Sequence, residues 1–418
     1  MTRKLSLCAL SCAVSLASGQ SVGNGFALNE QSISGMGTAY AGRASSALDA
    51  TTVYGNPAGM SRLDKEQISG GFVYIIPNVN VDNDSASNAF GPVTGKMSSD
   101  IARSIPVPFG YYVNPLDERW SFGFGVYSPY GQGVGYGHES TARYLSEKTD
   151  LKMITFQPTL SYKVTDDLSV GLGLTANYAN VTLVSALPVT EGKIEAKGDD
   201  WGYGYNFGLL YQLTDRTRVG MTYHSKVNLD LNMQSKVRNL FPLLGPANEN
   251  IDGSLKGSTP ESVDFSLTHE LNDDWTFYAG TTWTRWSRWQ DITINNTNSP
   301  TPIFDVIRQD LHWHDTWAYS LGASYRLNPQ WVLRAGLALD ESPAGNTTQN
   351  ARLPVADRKI LTLGAGWKVD ENWSVDFVYS YLRQDSFNLR QQDSTGNTFQ
   401  ADYKIQAQGL GIQLNYLF

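Results

Sequence analysis

Two histidines at alternate positions, His312 and His314, are the side chains best spaced to bind a metal ion. Residues two apart point to the same face of a strand, and Asp310 and Asp315 add carboxylates nearby. No third ligand follows at a spacing typical of a metal centre. The pattern therefore favours a solvated loop, and it predicts no metal site.

A second pair, His224 and His269, would suit a hydrolase if a serine nucleophile lay beside either ring. We place these histidines on neighbouring strands, but neither has a nucleophile motif with it. The alternating glycines at 171 to 173 do not form a phosphate-binding loop, because no helix follows them. The sequence thus predicts a protein that is not an enzyme and needs no cofactor.

The amino terminus has the pattern of a secretory signal, which we place at residues 1–20. Arg3 and Lys4 precede an apolar run from Leu5 to Ala17 that is too short for a membrane-spanning helix. Both cysteines of the chain, at positions 8 and 12, lie inside this segment, so the mature chain would have no thiol. A lipoprotein signal is the weaker alternative, because the apolar run continues past both cysteines. The formal net charge of -8 argues against a nucleic-acid partner.

The last strand of the chain alternates apolar and polar side chains and ends on an aromatic residue, Phe418. Leu410 and Tyr416 point one way, whereas Gln413 and Asn415 point the other. One face suits lipid and the other suits a lumen, and a strand protein can cross a bilayer only as a closed barrel. This ending resembles the strand by which the barrel assembly machinery recognises its clients. We therefore expect that machinery as a partner and the bacterial outer membrane as the location.

Six segments repeat an aromatic residue or His, a variable residue and Val or Leu before a polar turn. The turns centre near residues 117, 166, 215, 273, 329 and 371, and each indicates a hairpin. With one strand before and one after them, they predict an all-β fold, a transmembrane antiparallel β-barrel of about 14 strands over residues 65–418. Aromatic residues make up 12% of the chain, which suits rings of aromatic side chains at the two membrane interfaces.

Residues 21–64 lack strand alternation and are rich in Gly, Ala and Ser. They also contain Phe26, Ile33, Met36 and Val53, more apolar mass than a solvated tail normally holds. We therefore expect a plug, or hatch, inside the barrel rather than a disordered tail, with a short helix at residues 39–49.

The motif N-E-Q-S-x-S-G-x-G-x-A-Y-A-G at residues 29–42, with N-P-A at 56–58, resembles the hatch of the FadL-type long-chain fatty acid transport proteins. Matches at T-R-W-S-R-W (284–289) and L-D-E-S-P (339–343) extend this resemblance along the chain. It implies a monomeric fourteen-stranded barrel and passive transport of long-chain fatty acids or related hydrophobic compounds. The hatch residues that it implies are Asn29, Glu30, Asn56, Pro57 and Ala58.

In that family a kink in the third strand is understood to open a lateral gap in the wall. The third strand here runs from Trp120 to Tyr130, with glycines facing inward and a proline that cannot donate a ladder hydrogen bond. Close packing of the glycines against the hatch is the alternative explanation. The resemblance assigns the gap to Phe122, Gly123, Phe124, Gly125 and Pro129.

The external loop at residues 234–260 contains an apolar cluster suited to the capture of a hydrophobic ligand. An exposed apolar cluster of this kind usually marks a site that binds a ligand, a protein or a membrane. The alternative is a lid whose side chains pack on neighbouring loops. The members of the cluster are Val237, Leu240, Phe241, Leu243 and Leu244.

A fatty acid carboxylate needs a cation or converging N–H donors in a lumen of low dielectric constant. We expect head-group anchors at Arg308, Arg358 and Arg383, with Asp340 and Glu341 as partners of these cations or of the hatch. The fifth strand has no Arg or Lys between residues 177 and 184, where fatty acid transporters of this type tend to be basic.

Alternative functions therefore stay open. Neutral hydrocarbons or aromatic compounds would suit the same fold as substrates, and so would the export of oxidised lipids. A nonspecific porin and an outer-membrane lipase are weaker alternatives. Besides a hydrophobic ligand, outer-membrane lipids and lipopolysaccharide are the expected partners.

Overall fold

Strands dominate the computed structural model. The described residues begin at Gly25, so the predicted signal at 1–20 lies outside them. The described residues are 25–98, 101–241, 248–297, 299, 302–345 and 347–418. The helical elements are α1 (Ile33–Met36), α2 (Thr52–Gly55) and 3-10 helices at Pro57–Arg62, Trp286–Arg288 and Pro302–Phe304. Within the described ranges, no helix is long and apolar enough to cross a membrane.

The strands follow the first helices. They are β1 (Gln67–Asn88), β2 (Gly91–Val93), β3 (Ile105–Pro115), β4 (Trp120–Tyr127), β5 (Gly131–Gly135), β6 (Lys148–Lys163), β7 (Leu168–Leu187), β8 (Gly192–Thr214), β9 (Thr217–His224), β10 (Asn228–Arg238), β11 (Asn248–Ser258), β12 (Ser262–Glu270), β13 (Trp275–Thr284), β14 (Asp291–Thr297), β15 (Val306–Asp310), β16 (Thr316–Arg326), β17 (Trp331–Asp340), β18 (Arg358–Lys368), β19 (Trp373–Gln384), β20 (Phe387–Gln392) and β21 (Thr398–Leu417).

All of these strands belong to one sheet that closes into a barrel. β2 pairs with the outer end of β1 and adds no wall strand. Six wall strands consist of two segments placed end to end, namely β4 and β5, β9 and β10, β11 and β12, β13 and β14, β15 and β16, and β19 and β20. β21 pairs antiparallel with β1 and closes the wall, with Gln67 opposite Leu417. The predicted barrel of 14 antiparallel strands is confirmed.

Tight turns join the wall strands at one end of the barrel, at the six predicted places. In four of them an Asn or Asp side chain accepts hydrogen bonds from the backbone N–H groups two and three residues later. Asp117, for example, accepts from Arg119 N at 2.8 Å and from Trp120 N at 2.7 Å. These bonds hold the pKa of Asp117 below its usual range. The other three turns use Asn272, Asn328 and Asp370.

Side chains alternate between the exterior and the packed interior, as the pattern predicted. On β21, Leu410 is 50% exposed and Gln413 is fully buried. Cross-strand aromatic pairs lie beside the tight turns, where one membrane interface is expected. The ring centroids are 4.6 Å apart in Trp120–Tyr162, 4.8 Å in Trp275–Tyr325, 5.8 Å in Trp331–Trp367 and 4.7 Å in Trp373–Tyr416.

At the opposite end the strands run farther than the sequence analysis predicted. The segment 234–260, expected to be an external loop, is largely strand, and so is 184–199. β7 and β8 stay paired up to Leu187 opposite Gly192, and β10 and β11 pair from Arg238 opposite Asn248. The strand ladder therefore continues through much of both segments, with side chains alternating between the two faces.

Residues 26–62 pack against the inward face of the wall. We call 26–31 the hatch arm and 33–62 the hatch body. The hatch body is hydrogen-bonded to the wall over most of its length. Ile33 N donates to Gln413 Oε1 at 2.9 Å, and the amide of Asn56 donates to Leu209 O at 2.8 Å. The N-P-A motif thus fixes the hatch body against β8.

Inward glycines of the wall make room for the hatch body. A Cβ atom at Gly280 would lie 2.5 Å from Ala41 O, and one at Gly220 would collide with the carbonyl oxygen of Ala44. Real side chains do not approach so closely, so the hatch fits only a wall of this composition. The same close contact occurs at Gly171, Gly208, Gly322, Gly336 and Gly364.

The helix predicted at residues 39–49 does not form, and this stretch consists mainly of turns. Ala39 and Tyr40 have φ values of 51° and 60°, which interrupt any right-handed helix. Ser45 also bonds outward to Thr268, with 2.8 Å between the hydroxyl oxygens. Contacts with the wall therefore override the helix propensity of the alanines.

Candidate functional site

Strand 3 of the wall, made of β4 and β5, loses its partner on one side halfway along its length. β4 pairs with β3 only up to Gly110 opposite Val126. Beyond that point β3 pairs with β1, and β5 pairs with β6. A hydrogen bond of 2.9 Å from Gly135 N to Ile101 O joins the two sides again farther out. Among the described residues, the ladder between β3 and strand 3 is open between these two points, and we call this the strand-3 opening.

The opening lies outward of the two glycines to which the sequence analysis assigned it. Gly123 and Gly125 are paired both to β3 and to β6. A Cβ atom at Gly123 would collide with Met60, and one at Gly125 would lie 2.9 Å from the ring of Tyr111 on β3 and 3.3 Å from Val53. The glycines therefore accommodate the hatch body, which was the alternative explanation. The interruption comes at residues 128–130, around Pro129, while Phe122 and Phe124 alternate with the inward glycines.

The hatch arm takes the place that β3 leaves on strand 3. Tyr130 O accepts from Met153 N of β6, so its neighbours along the strand direct their backbone groups to the opposite side. There Leu28 N donates to Pro129 O at 2.8 Å, and Gly131 N donates to Phe26 O at 2.9 Å. The arm thus acts as a short substitute strand that fills the opening from inside.

Phe26 of the hatch arm lies in an aromatic box. Its ring is 2% exposed and packs against Trp286 and Trp289, with centroid distances of 4.8 Å and 5.0 Å. Tyr130 of strand 3 and Trp313 complete the box at 5.6 Å and 6.1 Å. The aromatic box therefore holds the first residue of the hatch arm in place.

Phe26 also lines an apolar chamber in the lumen, outward of the hatch body. The free cavity volume inside it is about 50 Å³. β6, β7, β10, β11, β14 and the loop before β18 supply its lining. A lining of this apolar chemistry suits an alkyl or aromatic ligand. The lining includes Leu151, Met153, Val181, Leu231, Leu255 and Leu353.

A second cavity, of about 100 Å³, lies between the hatch and the wall and contains charged groups. Asn29 and Glu30 line it, and Asn29 Oδ1 accepts from Arg43 at 3.0 Å. Arg358 forms a buried ion pair with Asp340. Burial raises the pKa of Glu30, which the positive charges of Arg358 and Arg43 partly oppose. An alkyl chain fits this cavity less well than it fits the apolar chamber, because the charges would lose solvation.

Comparison with known proteins identifies the family. The family model for the outer membrane protein transport protein (OMPP1/FadL/TodX) matches residues 14–418. The chain belongs to this family. The 47 kDa outer membrane protein of Pasteurella multocida is 30% identical over 445 residues, covering 100% of this chain and 99% of that protein.

Further relatives cover the chain as completely. The long-chain fatty acid transport protein of Escherichia coli O6:H1 is 28% identical over 451 residues, covering 98% of each chain. The crystal structure of a Pseudomonas aeruginosa FadL homologue superposes with a TM-score of 0.85 at 22% identity, covering 94% of this chain and 100% of that one. The protein is thus an outer-membrane barrel of a family that transports hydrophobic compounds.

Three of the residues expected to anchor a ligand head group do not face the lumen of this FadL/TodX family member. The side chain of Arg308 is 55% exposed. Arg383 is exposed, because its neighbours Leu382 and Gln384 are the residues of β19 that point inward. Glu341 is exposed as well. Of the predicted anchors, Arg358 and Asp340 line the lumen, and they neutralise each other.

The described members of the apolar loop cluster pack against neighbouring segments, as the lid interpretation predicts. Val237 and Leu240 are buried against Ile251 and Phe304. They are therefore not an exposed patch, and Phe241 is only half-buried. The positions of Leu243 and Leu244 lie outside the described residues.

The histidines are not brought together by the fold. β9 and β12 pair so that His224 lies opposite Ser262 and His269 lies opposite Thr217, at opposite ends of the two strands. Within the described part of the chain, no group of three or more His, Cys, Asp or Glu side chains could hold a metal ion.

The aromatic box was not predicted, because its rings come from segments that are far apart in the chain. A signal does exist in the W-S-R-W spacing at 286–289. The 3-10 helix at Trp286–Arg288 buries Trp286 and places Trp289 beside it. Two tryptophans three residues apart in an otherwise polar connection indicate a buried contact there.

Proposed function

We propose that this protein passively transports long-chain fatty acids or related hydrophobic compounds across the outer membrane. In this proposal the ligand enters from outside, binds in the apolar chamber and leaves sideways through the strand-3 opening into the bilayer. One observation carries the proposal. Phe26 lines the chamber, and its backbone is bonded to Gly131 at the opening. A ligand that displaces Phe26 therefore also loosens the arm that fills the opening.

Energetics favour a sideways exit over a downward one. Each buried CH₂ group is worth about 0.8 kcal/mol, so a long alkyl chain loses much stabilisation if it must pass through water. The bilayer replaces the contacts of the chamber at little cost. Sideways exit requires that the hatch arm leave strand 3, where two backbone bonds, one bond from Gln31 to Ser128 O and the packing of Phe26 hold it.

Downward exit requires the hatch body to leave the wall instead. Its bonds to the wall extend from Ile33 to Ser61, which donates to Ser169 at 2.7 Å. Breaking many such bonds together costs far more than moving the arm, since each contributes about 1 kcal/mol. The hatch residues Asn56, Pro57 and Ala58 belong to this fixed part.

The substrate class has support and alternatives. Relatives named long-chain fatty acid transport proteins support a fatty acid. Neutral hydrocarbons or aromatic compounds would fit the same lining, and solved toluene transporters share the fold. Oxidised lipids would take the same route in reverse. In each case the protein acts as a monomer that contacts lipid and lipopolysaccharide through its exterior, after folding by the barrel assembly machinery.

A cross-link through the hatch body tests the route. Ser45 and Thr268 have hydroxyl oxygens 2.8 Å apart, so cysteines at both positions should form a disulfide that fixes the hatch body to β12. In cells with this protein as the sole transporter, we expect uptake of hexadecanoic acid to be equal in the oxidised and reduced double variant. Uptake lost on oxidation and restored by reduction would show that the ligand passes a moving hatch. Each single cysteine variant is the control.

Conductance separates the transporter from a nonspecific porin. The hatch body packs against the wall strands inside the lumen, so purified protein in planar bilayers should show little steady conductance. A large and permanently open channel would contradict a plugged transporter. Ester hydrolysis that disappears when one serine is replaced would instead support the lipase alternative.

A further inference from the structure

Arg352, in the external segment between β17 and β18, is a buried cation that no carboxylate neutralises among the described residues. The residue is 9% exposed. Nη2 donates to Ser185 Oγ at 2.5 Å, and Nη1 donates to Val184 O at 3.4 Å. Both acceptors are neutral, so the positive charge is hydrogen-bonded but not balanced.

The other buried arginines differ from Arg352 in this respect. Arg143 pairs with Glu191 at 2.9 Å, Arg218 pairs with Glu270 at 3.1 Å, and Arg358 pairs with Asp340. Burial lowers the pKa of Arg352 to about 10. The guanidinium therefore stays charged at neutral pH, in a place where an anion would offset the cost of its burial.

Arg352 lies next to the apolar chamber. Leu353, the following residue, lines the chamber. The guanidinium bonds to Ser185, two residues beyond Leu183, which also lines it, and two strand residues span about 7 Å. β7 has no Arg or Lys of its own, so the loop supplies the cation to this part of the wall.

We propose that Arg352 binds the carboxylate of a long-chain fatty acid whose alkyl chain occupies the apolar chamber. This inference rests on the proposed function and names the substrate class. A carboxylate forms a charge-assisted hydrogen bond with the guanidinium, and a neutral hydrocarbon cannot. Arg352 thus makes the protein select ionised fatty acids over neutral molecules of the same length.

The test compares hexadecanoic acid with hexadecanol, which has the same chain and no charge. Binding to the purified full-length protein in lipid nanodiscs at pH 8 is followed by tryptophan fluorescence, because Trp289 lines the chamber. In Arg352→Gln we expect affinity for the acid to fall about tenfold or more, and affinity for the alcohol to stay within about twofold. Arg352→Lys should keep most of the preference for the acid. Arg308→Gln, which changes an exposed arginine, should have no effect.

The outcomes separate this inference from the proposed function. If Arg352→Gln loses affinity for both ligands equally, or loses no affinity for the acid, Arg352 does not bind the carboxylate. The proposed transport function would still stand. A wild-type protein that binds neither ligand would overturn the proposed function itself. A structure of the wild-type protein with hexadecanoic acid gives a second measurement that needs no variant. The carboxylate should lie within about 4 Å of the guanidinium, and a carboxylate bound elsewhere would refute the inference.

Discussion

Phe26 connects the apolar chamber with the wall, because this single residue contributes a ring to the chamber and a backbone group that bonds to strand 3. Removing a buried Phe ring usually costs about 3–5 kcal/mol. In Phe26→Ala we expect the hatch arm to lose this stabilisation. The amides of Leu28 and Gly131 should therefore exchange hydrogen much faster. The amide of Ala44 in the hatch body should be unaffected.

A matched control for this prediction is Phe265→Ala, which removes a ring that is 50% exposed on the exterior. It should leave exchange at Leu28 and Gly131 unchanged. If Phe26→Ala speeds exchange equally in the arm and in the hatch body, the two are one unit, and our division of the hatch is wrong.

Glu30 predicts a pH dependence of hatch stability. Burial raises its pKa in the folded protein above the ordinary value, and Arg358 and Arg43 oppose the effect. A raised carboxyl pKa means that ionisation destabilises the folded state, so the cost is absent below the ordinary pKa near 4.5 and grows as the pH rises. Glu30→Gln should therefore stabilise the hatch more at pH 7 than at pH 4. Protease resistance of the hatch at the two pH values measures this, and an equal effect at both would contradict it.

Among the structural elements, the hatch body depends on the shape of the wall. Gly220→Val places a side chain on the carbonyl of Ala44, and overpacking of this kind costs about 1–3 kcal/mol. We expect the hatch body to shift and the steady conductance in planar bilayers to rise. Gly110→Val is the control, because a Cβ atom there meets nothing within 4 Å. If Gly220→Val conducts no more than Gly110→Val, the contact between Gly220 and the hatch body does not seal the lumen.

Elements that depend on contacts between residues close in sequence could be predicted from the sequence. The turns are such elements, since Asp117 and Asn328 bond to the backbone two and three residues later. Strand alternation also located the faces of β21. The same alternation places Arg383 outside, beside the inward Leu382, and that contradicts its assignment as an anchor.

Features that depend on distant partners could not be predicted. The strand-3 opening exists because residues 26–28 replace β3 about a hundred positions away in the chain, which no local pattern at Pro129 reveals. The unbalanced charge of Arg352 depends in the same way on its contact with Ser185. Likewise, nothing local prevents a helix at residues 39–49, where contacts with the wall decide the conformation.

At the scale of the whole molecule, three regions of the barrel differ. The exterior faces lipid, the hatch body occupies the lumen near the tight turns, and the apolar chamber lies between the hatch body and the external segments. At the strand-3 opening, no ladder joins β3 to strand 3 among the described residues. In the proposed route, transport requires one small movement, that of the hatch arm away from strand 3.

Locking the hatch arm to strand 3 tests this claim most directly. Ala27 and Tyr130 lie opposite each other in an antiparallel bridge. Paired Cα atoms in such bridges are about 4.5–5.5 Å apart, a separation that a disulfide spans, and the chain beyond residue 12 has no cysteine to interfere.

The measurement is uptake of hexadecanoic acid by cells in which Ala27→Cys/Tyr130→Cys is the sole transporter, before and after reduction of the disulfide. Each single cysteine variant controls for the substitutions, and heat-modifiable migration on a gel confirms that the barrel is folded. We predict that the oxidised protein is inactive and that reduction restores uptake. Full uptake by the oxidised, correctly folded protein would show that the ligand does not need the arm to leave strand 3, and would contradict exit through the opening.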